Sequence, residues 1–368
     1  MPLRLAPFLL LLCGGPAQAG EFPLPAVDLL AWRPPVYRCL FTSTPPTVDG
    51  RLDDPAWRPA DWTSDFVDIE GDARPRPPLR TRAKLLWDTE NLYVAAALVE
   101  PQLWATYTER DAVIYHENDF ELFLDPDGDS HDYYELEINA LGTVWDLLLT
   151  APYRDGGHAV DAWDIAGLQS AVHLDGTLND PRDTDRGWSV ELALPWQVLE
   201  ECAPHGGPPL PGEGWRLNFS RVQWDLEASA SGYAKRSDPE TGRPLPEHNW
   251  VWAPQGLIAM HYPELWGRLD FVDERGEPAP PAPAGLHPLR LLYYAQRRQA
   301  ARSGAFARNL AELPPLPPAV PEWRALPLAL AGDGQGFRAW TLADSLGGEG
   351  WSIDETGCLR RFAPGARP

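Results

Sequence analysis

The sequence predicts an all-β fold: an antiparallel, jelly-roll-like β-sandwich followed by a linker, one helix and a small β meander. Three observations predict it. Between Val36 and Val272, short runs of alternating apolar and polar residues recur, with turn-forming residues between them. No long amphipathic helical pattern interrupts those runs. The chain also carries 17 Trp and 11 Tyr in 368 residues, large rings that suit a β-rich core or a ligand surface.

The N-terminus reads as an export leader. Arg4 precedes the apolar run Leu5 to Leu12, and Ala17-Gln18-Ala19 offers an A-x-A cleavage site, giving a signal peptide over 1–19. The run is too short to span a bilayer. A lipid anchor on Cys13 is disfavoured by the bulky Leu12 before it. The exported chain then keeps Cys39, Cys202 and Cys358, so at most one internal disulfide can form, and its pairing is open.

The sandwich is expected over 36–273. Thr47 to Trp57 holds an Asp-Gly turn and a capped short helix. Arg82 to Glu100 reads as a hairpin about the polar turn Asp88-Thr89-Glu90-Asn91. Asp119 to Asp125 and Tyr133 to Asn139 form a second hairpin, followed by Thr143 to Thr150. Further strands are expected in Gly187 to Trp196, stopped by Pro195, and in Gly214 to Asp225, Asn249 to Gly256 and Trp266 to Val272. A Pro/Ala-rich linker occupies 274–285. The segment 286–368 then supplies a helix, with Leu289, Leu292, Tyr293 and Gln296 at helical spacing, and a small meander. Arg290, Arg297, Arg298 and Arg302 make this helix the basic part of an acidic chain, suited to docking on the sandwich.

The formal net charge is -22. Such a chain repels phosphate backbones and anionic lipid, which leaves neutral ligands such as saccharides, or cations. The acid-rich stretch from His116 to Gly142 is therefore the focus. An EF-hand register fails there: counted from Asp125, position 6 is Ser130 and position 12 is Leu136. A structural calcium at the turn acids Asp125, Asp127 and Asp129 stays open, as it does at Asp180, Asp183 and Asp185 in a second turn; no other cofactor is implied.

With a period of two, Phe120, Leu122 and Leu124 share one face with Tyr134, Leu136, Ile138 and Ala140, and that face is core. The opposite face carries Asp119, Glu121 and Phe123 beside Tyr133, Glu135, Glu137 and Asn139. Adjacent carboxylates repel, so arginines, a cation or ligand hydroxyls are needed to relieve them. Arg82, Arg110 and Arg221 are the candidate partners if the face is merely solvated. A ligand face is the alternative.

At this point the motifs resemble family 9-like carbohydrate-binding domains. They are Val48-Asp49-Gly50-x-Leu52-Asp53-Asp54-x-x-Trp57, Leu92-Tyr93-Val94, Asn118-Asp119-x-Glu121-x-Phe123-x-Asp125, Tyr134-Glu135-x-Glu137-x-Asn139, Gly187-Trp188-x-Val190-Glu191-x-x-x-Pro195-Trp196 and Trp266-Gly267. The resemblance implies a secreted bacterial β-sandwich of the kind joined to polysaccharide-degrading enzymes, in the periplasm or outside the cell, serving carbohydrate catabolism. It implies two rings about a terminal sugar, aligned near Tyr115-His116 and Met260-His261, with polar positions at Glu121 and Asn139. Where the family is expected to carry arginine, this chain has Glu137.

Other residues extend the candidate surface. Trp250 and Trp252 lie two apart and, if extended, share a face that could stack on pyranose rings or line the core. Trp104 and Tyr107, beside Arg110, sit in a loop. For catalysis, Glu135 and Glu137 are the one pair spaced for glycoside hydrolysis, although nothing in the sequence raises one pKa and lowers the other. DOMON-like haem binding would need Met260, His261 and His116, but Met260 and His261 are adjacent and point opposite ways on a strand. A structural envelope role without a ligand is the remaining alternative. The reading favoured by the residues is non-catalytic saccharide binding through Tyr115, His116, the Asp119–Asn139 face, Trp250, Trp252 and His261.

Overall fold

The computed structural model describes residues 22–29, 31–230, 232–273, 286–313, 328–341 and 350–363. The expected leader at 1–19, with Cys13, and the expected linker at 274–285 lie outside them.

The alternating runs form strands β1 (Val36–Phe41), β2 (Val67–Asp68), β3 (Thr81–Trp87), β4 (Asn91–Val99), β5 (Asp119–Asp125), β6 (Tyr133–Asn139), β7 (Val144–Leu149), β8 (Ala159–Val160), β9 (Gln169–Asp175), β10 (Gly187–Pro195) and β11 (Gly214–Gln223). A separate ribbon, β12 (Leu226–Ser229) with β13 (Gly232–Lys235), precedes β14 (His248–Val251) and β15 (Gly267–Val272). The main sheet runs β8-β7-β6-β5-β11-β15-β1-β3-β4-β10-β9, with β14 on β11 and β2 on β14. Pairing is antiparallel except at β1, which runs parallel to both β15 and β3. The sheet folds over on itself: Leu85, Val94 and Leu192 of one half share a single core with Phe120, Leu136 and Phe219 of the other. This is the sandwich that the sequence predicts, and the even-numbered residues of β5 and β6 lie in its core.

Local chemistry explains the boundaries. Asp88 accepts from the backbone N–H groups of Glu90 and Asn91, closing the β3–β4 turn. Pro195 ends β10, and the short helix α1 (Trp196–Leu199) follows. Buried Glu191 on β10 accepts from the N–H groups of Asp49 (3.0 Å) and Gly50 (2.8 Å) and from Trp57 Nε1 (2.6 Å). That knot ties the opening Val-Asp-Gly turn to the sheet. Gly50 has φ +83°, and a Cβ there would meet the backbone of His173 at 2.6 Å. Alternation does not reveal β9 or the β12–β13 ribbon, whose residues are mostly half-buried or exposed.

Beyond residue 285, helix α2 (Leu286–Ser303) packs Leu289, Leu292 and Tyr293 against a four-stranded sheet, β16 (Leu328–Gly332), β17 (Phe337–Thr341), β18 (Gly350–Asp354) and β19 (Leu359–Phe362). Its other side meets Tyr262 and Leu265 of the sandwich. A polar clamp fixes the contact. Arg154 donates to Glu264 at 2.8 Å and lies 3.9 Å over the Tyr262 ring, while the Tyr294 hydroxyl bonds Glu264 and the Tyr293 hydroxyl bonds Asp155. Burial by itself would raise the Glu264 pKa, but Arg154 and Arg290 outweigh it and hold the carboxyl down at about 2. Cys39, Cys202 and Cys358 are all unpaired. No helix among the described residues is long and apolar enough to cross a membrane.

Candidate functional site

The β5–β6 register places Asp119 opposite Asn139, Glu121 opposite Glu137 and Phe123 opposite Glu135. The odd-numbered side chains do share a face. On β7 the same face continues through Trp145, opposite Glu137, and Leu147, opposite Glu135. On β11 it continues through Ser220, opposite Glu121, and Asn218, opposite Phe123.

The expected openness of that face is corrected by the structure. Asp119 (1% exposed), Glu121 (4%), Glu135 (6%) and Glu137 (1%) are buried, and the loops before β5 and after β14 reach this face through Tyr115, which bonds Glu137, and His261, which bonds Tyr133. Half-buried Tyr115, Trp145, Tyr153 and His261 form a rim beside them: the Tyr115 N–H donates to Glu137, Trp145 stands opposite Glu137, and His261 meets the Tyr133 hydroxyl. Tyr115 stacks towards Trp145 at 6.4 Å between centroids, and Tyr153 meets the edge of His261 at 4.5 Å.

The arginines expected to neutralise this face serve elsewhere. Arg221 pairs with Glu100 at 2.8 Å, Arg110 binds Asp146 and Asp164, and Arg82 lies over the Trp62 ring. Among the described residues, no Lys or Arg forms an ion pair with Asp119, Glu121, Glu135 or Glu137. Two carboxylates ~5 Å apart repel by ~3 kcal/mol at an effective dielectric of ~20, so the face holds protons or requires another cation. Burial pushes all four carboxyls up, with neighbouring Glu121 adding to the effect on Asp119, Glu135 and Glu137. Glu121 itself is raised to about 7, chiefly by burial, and the Ser220 hydroxyl eases that shift without reaching hydrogen-bond geometry. Glu135 and Glu137 are thus shifted in the same direction, and nothing separates them into an acid and an ionised partner as glycoside hydrolysis requires.

Individual candidates divide clearly. Asn139 is consumed by its own turn: its amide donates to Glu117 and to the Tyr107 carbonyl, and its oxygen accepts from Leu141 and Thr143. Phe123 and Tyr133 pack on Trp266 in a small buried cluster. The Tyr133 hydroxyl lies 2.9 Å from His261 Nδ1, and burial, helped by Arg154, lowers the His261 pKa to about 3. His116 is exposed beside Tyr115. Trp250 and Trp252 are each 4% exposed and belong to the sandwich core, which removes them as a stacking surface. Trp252 packs so closely over Gly267 that a Cβ there would lie 2.3 Å from its ring, which accounts for the glycine of the Trp266-Gly267 motif.

The turn acids are also accounted for. Asp125 accepts from Gly128 and Ser130 N–H groups, Asp127 from Asp129, and Asp129 from His131. Arg290 of α2 closes over the same turn through Asp129 O and Ser130 Oγ. Asp125, Asp127 and Asp129 still bring three oxygens within 4.8 Å of one another. Asp180, Asp183 and Asp185 do not assemble: Asp185 accepts from Leu103 and Thr177 N–H groups, whereas Asp180 pairs with exposed Arg182.

Trp145 and Tyr153 escape the sequence reading. Trp145 could have been reached by carrying the period of two into the next strand at the β6–β7 register. Tyr153 sits in a loop turn with no periodic signal.

Residues 48–207 match the model of the family described as carbohydrate family 9 binding domain-like. A search of the curated proteins returns no match. Among solved structures, the chain is similar to a family 9 carbohydrate-binding module from Caldicellulosiruptor kristjanssonii in complex with cellotriose, at 17% identity and TM-score 0.41 over 65% of this chain and 94% of that one. The same organism's module in complex with glucose gives 19%, 0.40, 64% and 96%. A provisionally assigned carbohydrate-binding protein from Bacteroides uniformis gives 14%, 0.48, 65% and 100%. The matched segment, residues 48–207, lies within the sandwich and runs from the Val-Asp-Gly turn past β10.

Proposed function

We propose that this chain binds a neutral saccharide, without chemistry, at the mouth formed by Tyr115, Trp145, Tyr153 and His261 over Glu121, Glu135 and Glu137. The observation that carries this reading is a set of half-buried rings beside a floor of oxygen acceptors, all but His261 inside the segment that matches the family. Flat rings cover the CH faces of a pyranose while carboxyl groups take its hydroxyl hydrogens. The acid floor and the net charge of -22 select against anionic sugars. A glycan array followed by calorimetry tests it. Retention of a neutral glycan, weakened at least tenfold by Trp145→Ala or Tyr153→Ala with the melting curve preserved, is expected. An empty array, or binding indifferent to both substitutions, sinks the reading.

The leader over 1–19 supports export, and the modules it resembles support a role in carbohydrate catabolism. N-terminal sequencing of the chain recovered from the cell envelope or medium should begin at Gly20. Recovery of the uncleaved chain from the cytosol contradicts export.

A further inference from the structure

Among the described residues, three acid clusters bring three carboxylate oxygens within 4.8 Å of one another, and they are not equivalent. Asp111, Asp146 and Asp164 close on the guanidinium of Arg110. Asp125, Asp127 and Asp129 spend their oxygens on the N–H groups of their own turn. Asp119, Glu121 and Glu137 have neither remedy.

That third group is buried at every member, spans the paired strands β5 and β6, and has no ion-pair partner among the described residues. Asp119 Oδ1 is steadied by the Val222 N–H at 3.1 Å, and Glu137 Oε2 by the Tyr115 N–H at 2.8 Å. Asp119 Oδ2 and Glu121 Oε2, however, are shut off from solvent and meet no hydrogen-bond donor. Ser220 Oγ, fully buried across the ladder from Glu121, is likewise without a hydrogen-bond partner. Unsatisfied buried oxygens of this kind are rare in folded proteins and ask for an explanation. A cation supplies one for all three at once.

We infer that Asp119, Glu121 and Glu137 hold a calcium ion, with Ser220 Oγ available as a fourth oxygen. The donor set is oxygen alone, which suits a hard divalent cation and gives zinc or copper no nitrogen or sulfur. Calcium takes oxygens at about 2.3–2.6 Å, so two ligands of one ion stand up to about 5 Å apart. Separations within 4.8 Å fit that span. Three carboxylates bring three negative charges, of which the ion cancels two. The ion would lie beneath the aromatic rim and pull the β5–β6 pair together. The inference goes beyond saccharide binding and does not need it.

Calorimetric titration of the chelator-stripped chain with calcium chloride, with no glycan present, is the test. One site per chain is expected, weakened at least tenfold by Glu121→Gln, with Asp127→Asn at the turn cluster leaving it unchanged. Calcium should also raise the melting temperature of the wild-type chain and not that of Glu121→Gln. Asp119→Asn serves as the second variant should the first fail to fold. Absence of binding by the wild-type chain overturns the inference. So does binding lost in Asp127→Asn but kept in both Glu121→Gln and Asp119→Asn.

Discussion

Glu121 and Glu137 stand directly opposite one another across the β5–β6 ladder, both buried and, among the described residues, neither paired with a basic side chain. Like charges in that position weaken a strand pair, so the arrangement costs stability whenever both are ionised and no cation is bound.

A pH dependence follows for the chelated chain. The Glu121 carboxyl is raised to about 7 in the fold, against an ordinary 4.5. Between those values the folded chain holds a proton that the unfolded chain has released, so stability falls as pH rises from about 4.5 to 7. The loss is on the order of 3 kcal/mol for this group, and Asp119, Glu135 and Glu137 act in the same direction. Urea midpoints in chelator should be lower at pH 8 than at pH 5, with a smaller gap for Glu121→Gln. Equal gaps in the two proteins would contradict the assignment.

The Arg154–Glu264 pair behaves in the opposite sense. Glu264 is depressed to about 2, so its contribution is present above about pH 4.5 and fades only as pH falls towards 2. Arg154→Ala removes the larger of the two arginine charges that compensate the buried Glu264, and breaking such a pair costs about 3–5 kcal/mol. Limited proteolysis should then cut first around α2, because Tyr294 also relies on Glu264.

Gly50→Ala tests the knot at Glu191. With φ at +83° and the His173 backbone 2.6 Å from the added carbon, strain of about 1–3 kcal/mol is expected. Thermal melting reads it directly, and unchanged melting would mean that the turn shifts freely.

Trp250→Ala and Trp252→Ala should act on folding alone. Each ring is a core residue, so truncation costs about 3–5 kcal/mol. Saccharide affinity of the folded fraction, measured by calorimetry at low temperature, should equal that of the wild-type chain, whereas Trp145→Ala reduces it.

Much of the fold was legible because strand alternation is a local property. The spacing of Phe120, Leu122 and Leu124 against Tyr134, Leu136 and Ile138 is enough to say which side is core. The Leu289, Leu292, Tyr293 and Gln296 spacing likewise identifies one buried helix stripe. The NWVWAP run, by contrast, reads equally well as a sugar platform and as core, since both need large rings on one face of a strand.

The sequence by itself determined that Asp119, Glu121, Glu135 and Glu137 project together, because side chains two apart on a strand must share a side. Only the tertiary structure decided that they are covered, that Arg82, Arg110 and Arg221 are committed elsewhere, and that Trp145, Tyr153 and His261 make the rim. The physical reason is range. Projection is set by the dihedrals of neighbouring residues, whereas burial and charge pairing depend on loops that arrive from distant parts of the chain.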